Sequence, residues 1–280
     1  MAKKAVLIGV NRYRIPGADL RGCVNDVKNM AGLLTKQYGF KRGDLTTLLD
    51  DAATKKATEA AIRKLVAGGR RGDVLVVHFS GHGSNVPDDD GDEADKRDEI
   101  LCPTDLDWKD PLRDDWLRKT FDGLKAGVSL TVITDCCHSG TITRAVQPPD
   151  APMMERYLPS PWDLVATESG RRLRGTVRGL RTAARPARKA SDVVVVDLPE
   201  VLVSGCRATQ TSADAHIGGS FNGALTYHLV GALKEGKAPA TLRELHGRVT
   251  ARLKRAGFDQ VPQLEGARAR LDQPFLAPIE

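Results

Sequence analysis

The sequence predicts an α/β protein with a mainly parallel central sheet and helices on both faces. Over the first 135 residues, short β-branched runs alternate with segments of helical apolar spacing. This alternation is typical of parallel strands joined by helical crossovers. "DVLVVHFS" (73–80) and "SLTVITD" (129–135) have the composition of buried strands. The length of 280 residues allows a sizeable core.

The elements follow in chain order. Four strands are expected before residue 136, namely 5–10, 45–49, 73–80 and 129–135. Three helices lie between them, at 22–40, 54–68 and around 114–126. The first has apolar residues at helical spacing, and the second ends at a glycine. Beyond residue 191 we expect a strand region at 192–205, helices near 221–234 and 241–255, and a further ordered stretch at 260–266.

Residues 146–191 interrupt this pattern. The stretch 146–190 holds six prolines and little apolar periodicity. We therefore expect a flexible Pro/Arg-rich linker at 146–191. It would separate residues 1–145 from residues 192–280, which complete the same sheet.

The net charge of +6 comes from one segment inside that linker. Residues 171–189 contain seven arginines, one lysine and no acid, and the remainder has 34 basic and 36 acidic residues. The body is thus near neutral, and the segment has no aromatic residue for base stacking. We expect no nucleic-acid partner, although a basic arm for acidic partners stays an alternative for this segment.

The cysteines predict reduced thiols, not a structural framework. Five cysteines are scattered without a C-x-x-C pair, at positions 23, 102, 136, 137 and 206. That spacing disfavours a zinc site or disulfides and fits a reducing compartment. No apolar run reaches the roughly 18 residues that a membrane span needs, and the N-terminal apolar run is too short for a signal peptide. We expect a cytoplasmic protein, without a membrane partner.

Two predicted strands end in chemically capable residues. His82 stands between two glycines after 73–80, and Cys137 lies in "DCCHSG" after 129–135. The 55 positions between them allow a crossover between neighbouring parallel strands, which would bring both residues to one edge of the sheet. A thiol beside an imidazole becomes a better nucleophile, because the imidazole can take and return the proton.

Five motifs in order make the resemblance specific. They are "GCVND" (22–26), "FSGHG" (79–83), "DGDEADKRDEILCPTD" (90–105), "DCCHSG" (135–140) and "SGCRATQTSADA" (204–215). On these motifs the chain resembles a bacterial-type metacaspase, in the wider caspase-like family of cysteine peptidases. The resemblance implies a caspase-like fold, with a large-subunit region at 1–145 and a small-subunit region at 192–280.

The same resemblance implies the catalytic roles. Metacaspases place the nucleophile directly before His-Ser-Gly, so Cys137 is the expected nucleophile and Cys136 a small residue packed beside it. His82 is the expected general base and acid. The N–H groups of Gly83 and Cys137 are the expected donors to the oxyanion. The chemistry would need no cofactor.

A specificity pocket is also implied by the resemblance, at Cys23, Asp26, Ser80 and Asp135. Two carboxylates would favour a cationic side chain, so cleavage after Arg or Lys in protein or peptide substrates is expected. Each acid alone has another interpretation. Asp26 suits the first turn of a helix, and Asp135 suits a turn after a strand.

Calcium activation is left open. The family's separate acidic cluster matches Asp98, Asp114 and Asp115 here, but its fourth position is Arg144. An arginine is unfavourable in a calcium shell. The alternative is that the acids form a solvated loop face.

The arginine-rich segment is also a candidate substrate. An enzyme with an acidic pocket would cut itself there, with Arg172, Arg174, Arg178 and Arg181 as the candidate sites. The alternative function is a non-catalytic caspase-like interaction module with this segment as its binding arm. A monomer is expected.

Overall fold

A computed structural model describes residues 1–88, 97–138, 151–163, 192–207, 210–235 and 240–279. Its centre is a seven-stranded sheet in the order β2-β1-β3-β7-β10-β13-β9. These strands are β1 (Lys3–Gly9), β2 (Leu45–Leu49), β3 (Val74–Ser80), β7 (Ser129–Asp135), β9 (Val193–Val195), β10 (Glu200–Ser204) and β13 (Gln263–Gly266). All neighbours pair in parallel except β10 and β13. The predicted α/β class with a mainly parallel sheet is confirmed.

Helices cover both faces of the sheet. They are α1 (Cys23–Gln37), α2 (Lys55–Ala67), α3 (Asp114–Phe121), α4 (Ala224–Lys234), α5 (Leu242–Arg255) and α6 (Arg268–Leu271). Thr54 and Thr241 cap α2 and α5, because each side chain accepts a hydrogen bond from an N–H three residues on. Two 3₁₀ turns flank β2, at Arg42–Asp44 and Asp50–Ala52.

The core has two layers because side chains alternate along the strands. In β1, Ala5 and Leu7 join the apolar cluster that contains α1, α4 and α5. Val6 and Ile8 join the cluster of α2 and α3 on the other face. β3 and β7 are buried along their whole length. The strands that carry the candidate site are therefore held rigidly in the middle of the molecule.

Two small antiparallel sheets extend from the strand ends. One joins β4 (Gly83–Pro87), β5 (Arg97–Leu101) and β6 (Leu112–Arg113), and begins three residues after β3. The other joins β12 (Ser220–Gly223), β11 (Ala213–Ile217) and β8 (Met153–Glu155). Both follow central strands that lead to the candidate site.

The expected linker at 146–191 is not irregular throughout. Residues 151–163 include β8, which pairs with β11, and Arg156, whose side chain is fully buried. The arginine-rich stretch 171–189 lies outside the described residues, as do Arg144 and most of the acidic loop. Across the described parts of the chain, no helix has the length and apolar character to cross a membrane.

Candidate active site

The ends of β3 and β7 bring the two candidate catalytic residues to one edge of the sheet. Ser80 pairs with Asp135 at the last position of the two strands. His82 and Cys137 each follow two residues later, and both are buried. The predicted crossover between β3 and β7 thus brings the ends of the two motifs, with His82 and Cys137, to the same edge of the sheet.

His82 is fixed by the loop between β1 and α1. Its backbone N–H donates to the Tyr13 hydroxyl at 2.7 Å, and its ring lies 5.0 Å from the Tyr13 ring. Nε2 lies 2.8 Å from the carbonyl oxygen of Ala18. A carbonyl only accepts, so Nε2 carries the hydrogen and the lone pair of the neutral ring is on Nδ1. Nδ1 is buried and has no hydrogen-bond partner among the described residues.

Burial lowers the pKa of His82 to about 4. The Ala18 carbonyl raises it in part, whereas the nearby Arg156 guanidinium lowers it further. The imidazole is therefore neutral at physiological pH, with Nδ1 free to take a proton.

Cys137 is buried, and its thiol is turned toward Ser212. Its Sγ accepts a hydrogen bond from the Ser212 N–H and lies 3.6 Å from the Ser212 carbonyl oxygen. Burial raises the pKa of the thiol, and the adjacent Cys206 thiol raises it further. Within the described chain, no hydrogen bond joins Sγ to His82. The Cys137 side chain is thus a neutral thiol here. Its Sγ must rotate away from Ser212 to reach the His82 imidazole.

Three of the four predicted pocket residues, Asp26, Ser80 and Asp135, contact a side chain that was not predicted, Arg156. One guanidinium nitrogen, Nη2, donates to Asp26 Oδ2 at 2.8 Å and to Asp214 Oδ1 at 3.0 Å. The other, Nη1, donates to Ser80 Oγ at 2.8 Å and to the Asp135 carbonyl at 3.0 Å, with Asp135 Oδ1 at 3.3 Å.

The carboxylates around this guanidinium are held by further hydrogen bonds. Asp26 accepts from the Ser80 hydroxyl at 2.7 Å and from the Gly223 N–H at 2.9 Å. Asp135 accepts from the Ser212 hydroxyl at 2.7 Å and the Thr226 N–H at 2.8 Å. Burial raises the pKa of Asp26, and the Arg156 guanidinium opposes that shift. The buried Arg156 cation therefore offsets part of the cost of burying a charged Asp26 carboxylate.

Cys23 and Asp214 complete the pocket. The Cys23 thiol is buried beside Ser80, and burial raises its pKa while Arg156 opposes the rise. Asp214, on β11, is fully buried and was not predicted. Its Oδ2 accepts from the Arg21 N–H at 2.8 Å, which leaves Oδ1 for the guanidinium. Asp214 lies within the motif at 204–215. An acidic residue inside a family motif was the sequence feature that could have identified it as a pocket residue.

The carbonyl oxygen of Arg156 lies between the two predicted oxyanion donors. It accepts hydrogen bonds from Gly83 N–H at 3.0 Å and from Cys137 N–H at 3.2 Å. A Cβ at Gly83 would collide with the Cys137 carbonyl, so only glycine allows this approach. Two converging N–H groups on one carbonyl are the arrangement that stabilises a developing oxyanion.

Cys136 and His138 lie beside the site. Cys136 is buried in the apolar cluster of α2 and α3, and its Sγ is 3.6 Å from His138 Nε2. His138 Nε2 is 3.7 Å from the Glu99 carboxylate. Neither residue contacts the Arg156 carbonyl.

Calcium binding through Asp98, Asp114 and Asp115 stays a prediction. Asp98 is buried and its Oδ2 is paired with Arg113, while its Oδ1 lacks a partner among the described residues. Burial, then Glu99 and Asp115, raise the pKa of Asp114 to about 6. In the described parts of the chain, no three His, Cys, Asp or Glu side chains converge as metal ligands do.

Comparisons with known proteins identify the family of this chain. A family model described as "Metacaspase, peptidase C14 domain" matches residues 3–145. Metacaspase-1A of Aspergillus niger is 34% identical over 288 residues, which cover 94% of this chain and 69% of that protein. Metacaspase-1A of Neurospora crassa is 34% identical over 266 residues, 83% of this chain and 56% of that protein. The chain thus spans between about half and two thirds of the length of these relatives.

Solved structures support the fold. A crystal structure of a Geobacter sulfurreducens protein covers 100% of both chains with a TM-score of 0.70 and 27% identity. Caspase-1 of Spodoptera frugiperda covers 96% of this chain and 92% of its own, with a TM-score of 0.55 and 13% identity. The second likeness shows the fold alone, and it confirms the expected caspase-like architecture.

Proposed function

This chain belongs to the metacaspase family, and from that premise we propose that it is a cysteine endopeptidase that cleaves after arginine or lysine with a Cys137–His82 dyad. The single observation that carries this proposal is the position of Arg156. Its side chain fills the acidic pocket while its carbonyl oxygen meets the N–H groups of Gly83 and Cys137. A substrate residue on the acyl side of a scissile bond would make the same two sets of contacts.

The proposed reaction uses the Cys137 thiol, the His82 imidazole and two backbone N–H groups. The Cys137 thiol attacks the carbonyl carbon of the pocket residue while its proton passes to Nδ1 of His82. The oxyanion is held by the N–H groups of Gly83 and Cys137. His82 then gives the proton to the departing amine, and water hydrolyses the thioester with the same imidazole as base. The Ala18 carbonyl keeps Nε2 protonated throughout, so Nδ1 is always the atom that exchanges the proton.

The pocket is built for a planar cation. The carboxylates of Asp26, Asp135 and Asp214 and the Ser80 hydroxyl meet both terminal nitrogens of a guanidinium. A lysine ammonium is a single point donor, so it reaches fewer of these acceptors. We therefore propose that both cations are accepted and that arginine is preferred. An aspartate side chain would add a fourth buried negative charge and is excluded.

The finer features remain proposals of the same account. Substrates are proteins or peptides with an exposed arginine or lysine, and the enzyme acts as a cytoplasmic monomer. Its chemistry needs no cofactor, and calcium through Asp98, Asp114 and Asp115 would act only as an activator. Self-processing in the basic linker would use Arg172, Arg174, Arg178 or Arg181, which lie outside the described residues.

Covalent labelling tests the dyad and the pocket together. A peptide ending in an arginine acyloxymethyl ketone should attach one molecule of label per protein, at Cys137, since the ketone places an electrophile where the Arg156 carbonyl lies. The Arg156→Ala protein should label faster than wild type, because its pocket is free, and Cys137→Ala should not label. The matched peptide ending in aspartate should label none of them. Equal labelling by both peptides would contradict the proposed specificity, and labelling of another cysteine would contradict the dyad.

A further inference from the structure

A cavity of about 400 Å³ lies on the α2 and α3 side of the central sheet. Its floor is made by alternate residues of three strands, whose side chains therefore face the same way. They are Val132 and Thr134 of β7, Leu202 and Ser204 of β10, and Gln263 and Glu265 of β13. Leu117 and Phe121 of α3 form a wall. Small-molecule sites in proteins measure about 300–1,000 Å³, so the cavity has the size for one small ligand.

The cavity is separate from the pocket that Arg156 fills. Cys136 is among the residues that line it, whereas the next residue, Cys137, turns its thiol toward Ser212. None of the side chains that bind the Arg156 guanidinium is among the described residues around the cavity. A ligand can therefore enter the cavity while the arginine pocket stays filled, and it would lie against the residue that precedes the nucleophile.

Acidic groups around the cavity exceed the cations that are available to pair with them. The acids are Glu99, Asp114, Glu200 and Glu265. Two arginines also line the cavity, and each already has a partner. Arg207 donates through two nitrogens to Asp192, at 2.5 and 2.6 Å, and Arg118 lies 4.0 Å from Asp114. Within the described parts of the chain, neither Glu200 nor Glu265 forms a salt bridge, so the cavity can accept a further positive charge.

Glu200 has a buried carboxylate oxygen without a partner, which points independently to a ligand. The residue lines the cavity and is 8% exposed, and its Oε2 accepts no hydrogen bond from the described residues. Burial raises the pKa of Glu200, and nearby Asp122 and Glu265 raise it further. Burial and then Glu99 raise the pKa of Glu265. A positively charged donor at this point would supply the hydrogen bond and stabilise the ionised carboxylates.

Much of the remaining surface of the cavity is apolar. The apolar lining includes Leu117, Phe121, Val132, Leu198 and Leu202. Burying a hydrocarbon group against such a surface is favourable. The two halves of the cavity together describe a ligand with an apolar body and one cationic nitrogen. An anion would be repelled by the carboxylates, and a neutral apolar molecule would leave the buried carboxylate oxygen unpaired.

We propose that this cavity is a binding site for a small organic cation with an apolar body, and that Glu200 and Glu265 hold its charged nitrogen. The site is additional to the peptidase site, and the proposal does not depend on the proposed function. The volume sets the size of the ligand, the apolar lining sets its body, and the unpaired buried acid sets its charge.

Isothermal titration calorimetry with three matched probes tests the proposal. The probes are phenylbutylamine, phenylbutanol and phenylbutyrate, which share one apolar body and differ in charge. The protein is the full chain with Cys137→Ala, which lacks the proposed nucleophile, and a calcium chelator prevents competition near Asp114. The amine should bind with one molecule per protein. The alcohol should bind at least about tenfold more weakly, as expected for loss of a charge-assisted hydrogen bond, and the carboxylate should not bind.

Two variants locate the bound amine. Glu200→Gln keeps the size of the side chain and removes its charge, so it should weaken binding of the amine about tenfold and leave the alcohol unchanged. Leu198→Trp should weaken binding of both the amine and the alcohol, because the larger ring fills the cavity. Glu235→Gln is the matched control, since Glu235 is exposed and pairs with Arg252. Circular dichroism checks that each variant folds.

Three results would overturn the proposal. Equal affinity for the amine and the alcohol would show that the carboxylates do not recognise the charge. Amine binding that survives both Glu200→Gln and Leu198→Trp would place the ligand elsewhere. Absence of amine binding to the folded protein would show that the cavity does not accept a cation of this class. If Glu200→Gln does not fold, Leu198→Trp and the comparison of amine with alcohol decide between these outcomes.

Discussion

Arg156 and Asp26 are 130 positions apart in the chain, and their guanidinium nitrogen and carboxylate oxygen are 2.8 Å apart in the fold. Both side chains are fully buried. Removing either partner leaves the other charge buried without compensation, which costs several kcal/mol where it has been measured, about 3–5. The pair links the segment after Cys137 to the first turn of α1, and it is consistent with the proposed preference of the pocket for arginine.

The two adjacent cysteines are expected to differ in function. Cys137→Ala should abolish self-cleavage and hydrolysis of an arginine peptide, because it removes the proposed nucleophile, whose own N–H already donates to the carbonyl of the residue in the pocket. Cys136→Ser should keep most activity, since the Cys136 side chain packs toward α2 and α3 and contacts His138. Intact-mass spectrometry measures self-cleavage of both variants. An active Cys137→Ala beside an inactive Cys136→Ser would reverse the assignment.

The pocket carboxylates should set the specificity. In the Arg156→Ala protein, which frees the pocket, Asp26→Asn, Asp135→Asn or Asp214→Asn should each lower kcat/KM for an arginine peptide by about ten- to a hundredfold. That range corresponds to roughly 1.5–3 kcal/mol for a charge-assisted hydrogen bond. Asp110→Asn is the matched control, because its salt bridge with Lys55 is exposed. An unchanged arginine preference in all three variants would rule out this pocket.

Gly223 should be essential to the pocket for a steric reason. A Cβ there would collide with Asp135 Oδ2 and with Nη1 of the seated arginine, although the backbone φ of −70° suits alanine. Gly223→Ala should therefore block self-cleavage and arginine-peptide hydrolysis while the protein stays folded. Gly32→Ala is the control, since a Cβ in that part of α1 meets open space. Full activity of Gly223→Ala would mean that the bound arginine sits elsewhere.

The protonation of His82 gives a prediction about pH. Burial disfavours the charged ring, so its pKa is lowered from 6.5 to about 4, and the neutral base persists as the pH falls from 7 to 5. In intact Cys137→Ala protein, NMR titration should show His82 uncharged at pH 6 and protonating only as the pH approaches 4. The His82→Ala double variant assigns the signal. A midpoint near 6.5 would show that the ring is not buried as described.

Much of the scaffold could be predicted because its signals are local. β2 (Leu45–Leu49) and β7 (Ser129–Asp135) have the predicted bounds, and α2 differs by one residue at each end. The predicted helix at 22–40 ends early, at Gln37, and Gly39 then adopts a positive φ of 71°. Runs of β-branched residues and helical apolar spacing are readable without any tertiary information.

The residues that fill and orient the site could not be predicted from local sequence patterns. β8 has three residues and lies among prolines, so it shows no periodicity, and the burial of Arg156 depends on contacts 21 to 130 positions away. The Ala18 carbonyl that fixes the His82 ring is a backbone group, which leaves no mark in the sequence. The motifs identified Asp26, Ser80 and Asp135 as neighbours in one pocket. They did not identify Arg156 as the side chain that fills it, because Arg156 lies outside the motifs and reaches the pocket only in the folded chain.

The most direct test of the central claim is hydrolysis of three matched fluorogenic peptides that end in arginine, lysine or aspartate. The enzyme is the Arg156→Ala protein, and its Cys137→Ala double variant is the blank. We expect arginine to be cleaved fastest, lysine more slowly, and aspartate no faster than the blank. Cleavage after aspartate at a rate equal to that after arginine, or arginine cleavage that survives loss of Cys137, would contradict the account.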